Sequence, residues 1–581
     1  MKDFLKMVLA VLCGLLLMGV LSIFLFSGFI ASLSLAGGAQ PVLPKTGVLG
    51  IDMSKIAITE QTQPQDPFAS MQKQGVKTVS LMQAVQAIRI AAQDPGVKFI
   101  FLRTDGGSTG IAALEELRKA LEQFRGSGKA VISYLESPTT AGYYLASVSD
   151  KIYMTPHDGA NILFTGISGQ GIFLKDLLDR LGVNVQLIRH GKYKSAGEMY
   201  IRNASSPENR EQNEVLVQSI WKTIAAPIAE SRGISVAALD KAIDNLELCL
   251  PEDFLSHSLV DGLLTREELK ERIATLAVEE SFNKVSFIPF ADYAQAKCVP
   301  NYRARKKIAV IFADDEIVDG REPRNVAGDR FAKVVSEVRA DSTVKAVVLR
   351  VNSPGGSVLA SEKIRSELDL LAGVKPLIAS YGGYAASGGY WISSGCRKIY
   401  TDATTLTGSI GVFGMIPDFG RTAKDKLHVG IEFYKTHKHA DMYGLMRPLD
   451  GAETAYIQRS IENIYDRFLS IVSEGRGMEK TAVDAIAQGR VWSGADALGI
   501  GLADEIGTLD DALHYAAVCA DDATLGNWEV AEYPRPLTAM EQFQAMLNPA
   551  DDGEMVLVRE LRNLREPRIL ARMPLNFELR Y

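Results

Sequence analysis

The stretch "VKAVVLRVNSPGGSVLASEKIRSELDLLAGVKPLIASYGGYAASGGYWIS", Val344 to Ser393, decides the fold. It opens on a run of β-branched residues with no polar alternation, which reads as a strand buried on both faces. "NSPGG" ends that strand. "ASEKIRSELDLLAG" then has helical spacing and a glycine stop. "KPLIASYG" is a second buried strand, and "YGGYAASGG" turns it towards another helix. A strand, a helix and a parallel strand in this little chain make a right-handed crossover, so the sheet is largely parallel and the class is α/β. Both glycine-rich turns fall at the carboxyl ends of strands, where open α/β sheets bind ligands.

Ser387 lies in the second turn, among glycine and alanine. Glycine permits close backbone approach. A serine where a strand becomes a helix has beside it an N–H without an intrahelical partner, here that of Gly388. The second donor to a developing oxyanion comes from Gly355 or Gly356 of "SPGG". Small neighbours would let a peptide backbone reach these groups. Glycine-rich turns are also common packing devices, and Ala385 replaces the first glycine of the G-x-S-x-G elbow.

Working outward, the same pattern occurs twice. "VKFIFLRTDGGSTGIAALEELRKAL" from Val97 matches "VKAVVLRVNSPGGSVLASEKIRSEL" from Val344, and "KIYMTPHDGANILFTGIS" from Lys151 matches "KIYTDATTLTGSIG" from Lys398. "ESRGISVAALDKAI" from Glu230 matches "EGRGMEKTAVDAIA" from Glu474. The order is kept at an offset of about 245 residues, the mark of a duplicated fold. The expected divisions are 1–46 (start, anchor and linker), 47–300 (first repeat), 301–540 (second repeat) and 541–581, a tail with no usable motif. "QAKCVPNYRARKK" is the expected joint between the repeats.

A serine nucleophile needs a base. The chain has seven histidines, and none lies between Ser387 and His428. A lysine can serve if burial keeps it neutral. Aligning the repeats through "VNVQLIRHGKYKSAG" and "VGIEFYKTHKHADMY" sets Lys194 opposite Ala440, and aligning the "KIY" segments sets Ser387 opposite Thr140. The first repeat thus carries the lysine without the serine, and the second the reverse. Drift between structural repeats would look similar, and Thr140 could retain a hydroxyl role. Lys192 is the rival base: on a strand it would share a face with Lys194.

The 581 residues, net charge −7 and absence of a basic block argue against a nucleic-acid partner. Five scattered cysteines show neither a disulfide framework nor metal spacing. The N-terminus has no charged side chain from Met7 to Pro44, and Met7 to Ile30 is long enough to cross a bilayer as a helix. A cleavable signal peptide has a shorter apolar region, so a retained anchor is expected, although "SLAGGAQ" offers small residues for cleavage. Lys2 and Lys6 favour a cytoplasmic start, with the rest outside.

"RVNSPGGSV", "AASGGYWIS", "TLTGSIGVFG" and "GKYKSAGE" together resemble the signatures of the long-form bacterial signal peptide peptidase A family, across nearly all the chain after the anchor. The resemblance implies two tandem Clp-protease/crotonase-like domains after one transmembrane helix, assembled as a tetrameric bowl on the periplasmic face of the bacterial inner membrane. It implies a serine endopeptidase that degrades remnant signal peptides and other apolar, membrane-derived peptides. Ser387 is then the nucleophile, Lys194 the general base, and Ser409 the residue orienting the lysine; no metal or cofactor is implied. Three other readings stand beside it. A crotonase-like acyl-CoA enzyme also aims paired amides at an acyl oxygen, but needs no serine and would face away from CoA. A non-catalytic membrane scaffold would have no use for the serine and lysine. A related Clp-class membrane protease would differ in its substrate.

Overall fold

The structure, a computed structural model, describes residues 14, 17–19, 21–22, 41–62, 76–107, 109–321, 325–535, 568–573 and 577–580. The first repeat contains strands β1 (Gly47–Asp52), β2 (Val97–Arg103), β3 (Val131–Leu135), β4 (Lys151–Met154), β5 (Ser168–Gly171), β6 (Asn184–His190), β7 (Gly262–Leu263) and β8 (Phe287–Pro289). Its principal helices are α1 (Leu81–Gln93), α2 (Ile111–Arg125), α3 (Thr140–Ala146) and α4 (Pro207–Arg232). The second repeat contains β9 (Lys307–Asp314), β10 (Val344–Ser353), β11 (Gly355–Ser357), β12 (Leu377–Ala386), β13 (Ile399–Thr401), β14 (Leu406–Gly408), β15 (Val412–Asp418), β16 (Val491–Ser493), β17 (Glu505–Ile506) and β18 (Glu529–Tyr533). Its principal helices are α5 (Gly328–Ala340), α6 (Val358–Ala372), α7 (Gly388–Ser393) and α8 (Gly451–Arg476). The tail adds β19 (Arg568–Arg572) and β20 (Phe577–Arg580).

The duplication reappears as topology. The first repeat's sheet has the order β8–β1–β2–β3–β4–β7, and the second's has the corresponding order β18–β9–β10–β12–β13–β17, with parallel pairing throughout. The central strands β9, β10 and β12 are buried on both faces, as their Val, Ile and Ala content requires. Helices start where the sequence offers side-chain caps. The Ser357 hydroxyl accepts from Ala360 N at the start of α6, and Asp450 and Glu453 form a capping box on α8. Of the stretch "QAKCVPNYRARKK", Gln295–Lys297 end the helix Phe290–Lys297, and the chain is then non-helical up to β9.

A third sheet joins the repeats. It runs from the short strands Val326–Ala327 and Ile317–Val318 through β11, β19 and β15 to β6 of the first repeat. β6 pairs antiparallel with β15 from Val412↔His190 to Asp418↔Asn184. Buried charge also ties the halves together. Arg350, fully buried on β10, pairs with Glu60 and Glu116 of the first repeat, each at 2.8 Å.

The apolar stretch Met7 to Ile30 lies largely outside the described residues. Among the described residues no helix is long and apolar enough to cross a membrane.

Candidate active site

Ser387 reaches the site because β12 is longer than its early partners. Its last residues leave β13 and pair with β14: Tyr384↔Leu406, Ala385↔Thr407 and Ala386↔Gly408. The next residues on the two strands are Ser387 and Ser409, which are therefore delivered side by side. Both have positive φ, 54° and 49°, a costly conformation for a side-chain-bearing residue and one that clusters at functional sites. Hydrogen bonds hold it in place. Ser387 N donates to Gly408 O at 2.8 Å, Trp391 N to Ser387 O at 2.8 Å, and Ser409 N to Arg490 O at 2.7 Å.

The small residues around Ser387 serve close packing. A Cβ on Gly388 would lie 2.7 Å from Ser361 Oγ and 3.1 Å from Gly355 Cα, and one on Gly389 would lie 2.7 Å from Ser353 O. The "SPGG" turn thus abuts the first turn of α7. The Gly388 N–H, at the start of that helix, is outside its hydrogen-bond ladder. The Gly355 N–H donates to Ser353 Oγ at 3.2 Å. Of the two candidates for the second oxyanion donor, this commits Gly355 elsewhere and favours Gly356.

Lys194 comes from the loop that follows β6. Gly191, at φ 97°, turns the chain at the end of the strand. Tyr193 N donates to Gln488 O at 2.9 Å, laying the loop on the second repeat. At Gly489 a Cβ would lie 2.5 Å from Lys194 Cβ, so only glycine lets the lysine through. Lys194 Nζ lies 2.8 Å from Ser387 Oγ, 3.0 Å from Ser409 O and 3.0 Å from Ser409 Oγ. Lys194, Ser387 and Ser409 are all fully buried. Burial alone pushes the lysine amine well below its ordinary range. A neutral amine has two N–H groups and one lone pair. The two Ser409 oxygens can take the N–H groups, leaving the lone pair for the Ser387 hydroxyl proton.

Lys192 does not share a face with Lys194. Residues 191–197 are loop rather than strand, so the alternation expected of a strand does not apply. Lys192 is exposed, its amine 5.0 Å from the centroid of the Tyr193 ring. Thr140 keeps no free hydroxyl role: its Oγ1 donates to Gly166 O at 3.0 Å. Ala440 lies in a turn at the surface. The segment His437–His439 forms a bend and turn in which His437 and Lys438 are exposed and His439 is half-buried, its Nδ1 2.9 Å from the Glu453 carboxylate.

Several positioning residues escaped the sequence reading. Arg189 donates to Lys194 O at 2.7 Å and to the buried Glu198 carboxylate at 3.0 Å. Glu198 also accepts from Ser206 N at 3.1 Å. Gln212 on α4 donates to Ser195 Oγ at 3.2 Å and to Tyr193 O at 3.4 Å, and accepts from Val491 N of the second repeat at 3.1 Å. The only available signal was the polar composition near the start of α4, which a solvated helix face explains equally well.

The profile of peptidase family S49 matches residues 123–279 and again 369–522, one match in each repeat. Protease 4 of Haemophilus influenzae is 35% identical over 506 residues, covering 84% of this chain and 81% of its own. Protease 4 of Salmonella typhi is 36% identical over 474 residues, covering 80% of this chain and 75% of its own. The chloroplastic serine protease SPPA of Arabidopsis thaliana is 30% identical over 506 residues, covering 84% of this chain and 72% of its own. These matches set aside the acyl-CoA enzyme and the non-catalytic scaffold. The chain belongs to peptidase family S49, in its long form with two copies of the domain, and is a serine peptidase.

Proposed function

We propose that the chain is a membrane-anchored endopeptidase that cuts apolar peptides, remnant signal peptides among them, through a Ser387–Lys194 dyad. The observation that carries this reading is the buried Lys194 amine 2.8 Å from Ser387 Oγ, with no carboxylate bonded to it among the described residues. Neutral Lys194 takes the Ser387 proton as Oγ attacks the scissile carbonyl carbon. The oxyanion is received by the N–H groups of Gly388 and Gly356. The lysine, now charged, protonates the leaving amine. Water then attacks the acyl-enzyme, gives its proton to the lysine and frees the serine. Ser409 orients the amine throughout. The chemistry needs no metal or cofactor.

The Met7–Ile30 stretch is the proposed anchor, with Lys2 and Lys6 on the cytoplasmic side and the repeats on the periplasmic side. A homotetramer is favoured by the unequal use of the repeats. β6 finds its partner, β15, within the chain. The segment aligned with β6, residues 430–436, forms no strand and exposes Ile431 and Phe433. A neighbouring copy would supply the missing partner.

The test compares Lys194→Ala with Lys192→Ala in fluorophosphonate labelling and peptide-ester hydrolysis. Lys194→Ala is expected to lose both by about 10²–10⁴-fold, the usual weight of a general base, and Lys192→Ala to keep both. Equal activity in the two variants, or loss only in the second, refutes the assignment.

A further inference from the structure

The bend that delivers Ser387 is a β-bulge, and what holds it lies one strand away. β10 and β12 pair in register as far as Val351↔Tyr381, and their next pair is Ser353↔Ala385. One residue of β10, Asn352, therefore faces three of β12: Gly382, Gly383 and Tyr384. A bulge leaves backbone groups outside the ladder, bends its strand and re-aims the side chains that follow. This one marks the place where β12 leaves β13, after Tyr381↔Thr401, and takes up β14, from Tyr384↔Leu406. Ser387 follows three residues later.

The Asn352 side chain fills the bulge. Its Oδ1 accepts from Tyr384 N at 3.1 Å, and its Nδ2 donates to Asp314 Oδ1, at the end of β9, at 2.8 Å. A backbone N–H can only donate and a carboxylate can only accept, so one orientation of the amide satisfies both partners. The glycines opposite leave it room: a Cβ on Gly383 would lie 3.3 Å from Asn352 Oδ1, and one on Gly382 2.8 Å from Glu60 Oε1. The Asn352 carbonyl accepts from Asp315 N at 3.0 Å. The next residue, Ser353, takes the Gly355 N–H on its hydroxyl. Asn352 is therefore tied both to the strand that carries the serine and to the turn that carries the proposed oxyanion donor.

The first repeat supplies an independent case. Matching "VKFIFLRTD" with "VKAVVLRVN" sets Asp105 opposite Asn352, and aligning the "KIY" segments sets Ser137 opposite Tyr384. Asp105 Oδ1 accepts from Ser137 N at 2.8 Å, and its Oδ2 accepts from Glu136 N at 3.0 Å. The bond from this side chain to the neighbouring strand end is present in both repeats. The second partner differs. Asn352 has an N–H to give to Asp314, and an ionised Asp105 has none. The bridge to a third strand is made only in the repeat that carries Ser387.

We propose that Asn352 is a positioning residue for Ser387: by bridging Asp314 to the Tyr384 amide it fixes the bulge that aims the serine hydroxyl at Lys194 and keeps the "SPGG" turn beside it. The inference rests on the Ser387–Lys194 reading above. Asn352 bonds to neither Ser387 nor Lys194, so its removal acts on kcat through their placement. Its partner gives the proposal a second handle. Burial pushes the Asp314 carboxyl up to about 6, and Glu60, Asp315 and Arg350 are the charged groups around it. A second carboxylate at position 352 would face the first, and two like charges so placed hold a proton to higher pH than either alone.

Peptide-ester hydrolysis and fluorophosphonate labelling by the full-length, detergent-solubilised protein test this, with each variant expressed as a ratio to the wild type at the same pH. Asn352→Leu, similar in volume but without polar atoms, is expected to lose about 10²-fold in kcat with KM within about threefold of the wild type, and to label correspondingly slowly. Asn352→Asp keeps the acceptor for Tyr384 N. It is expected to approach the wild type at pH 5, where the facing pair holds a proton, and to fall at least about tenfold below it by pH 8. Asn352→Asp combined with Asp314→Asn exchanges the two partners, keeps both bonds and is expected to restore kcat at pH 8. This exchange decides the matter even if Asn352→Leu does not fold. A wild-type kcat in Asn352→Leu, or a double variant no better at pH 8 than Asn352→Asp alone, overturns the proposal. With Ser387→Ala and Lys194→Ala inactive alongside, that result leaves the dyad standing. Ester hydrolysis by Ser387→Ala refutes the dyad itself, and this inference with it.

Discussion

Among the described residues, Lys194 has no counter-ion. Its amine meets the Ser387 and Ser409 hydroxyls and the Ser409 carbonyl, and burial depresses its pKa. The sign of the linked stability effect follows. Below the unfolded value of about 10.5 the unfolded chain holds the lysine proton and the folded chain resists it, so the buried amine costs stability. That cost grows as pH falls from 10.5 towards the folded pKa. Lys194→Met keeps the length of the side chain and removes the titrating group. It is expected to abolish peptide-ester hydrolysis while leaving the urea midpoint at neutral pH equal to or above that of the wild type. The advantage should shrink as pH approaches 10. A midpoint that drops at neutral pH, with no such trend, would mean that the amine is charged in the fold. The residue types were legible in the sequence, since a serine among glycines and a histidine-free neighbourhood already pointed to lysine. The repeat alignment and the family resemblance pointed to Lys194; strand spacing by itself left Lys192 as a rival, because that choice depends on which way a loop turns.

At the scale of elements, the site is built by strand ends. β12 outruns β13 and meets β14, which sets Ser387 beside Ser409. The Lys194 loop is fixed by contacts its own sequence does not encode, chiefly with Gln488 and Gly489 of the other repeat. Gly489 has φ 81° and would place a Cβ 2.5 Å from Lys194 Cβ. Gly489→Ala is therefore expected to push the loop away. The strain amounts to about 1–3 kcal/mol, and displacing the base by about 1 Å costs roughly 10²-fold in kcat. Circular dichroism should remain native, and fluorophosphonate labelling should slow in parallel with kcat. A wild-type kcat in this variant would show that the loop tolerates movement. "SPGG" and "ASGG" announced tight turns. Gly489, in the plain stretch "AIAQGRVW", announced nothing, because its necessity arises from a residue far away in the chain.

At the scale of the whole molecule, buried acids hold the repeats together. Glu115 on α2 accepts from Ala403 N at 3.0 Å and Thr404 N at 2.8 Å of the second repeat. Loss of water pushes its carboxyl up to about 7. A raised carboxyl contributes stability that is complete below about 4.5 and is lost as pH rises through about 7. Asp314, pushed up to about 6 by burial, acts in the same direction. Urea midpoints measured between pH 4.5 and 7.5 are expected to fall less steeply in Glu115→Gln than in the wild type. An unchanged slope would mean that Glu115 ionises freely in the fold. The sequence by itself determined the strand–turn–helix units, their duplication in order and the glycine-lined serine, because periodicity, turn chemistry and repetition are local properties of a chain. Only the tertiary structure decided how the lysine's loop lies on the second repeat and which glycines make room for it. Those are contacts between residues hundreds of positions apart, made by sheet pairing and burial, and no local pattern carries them.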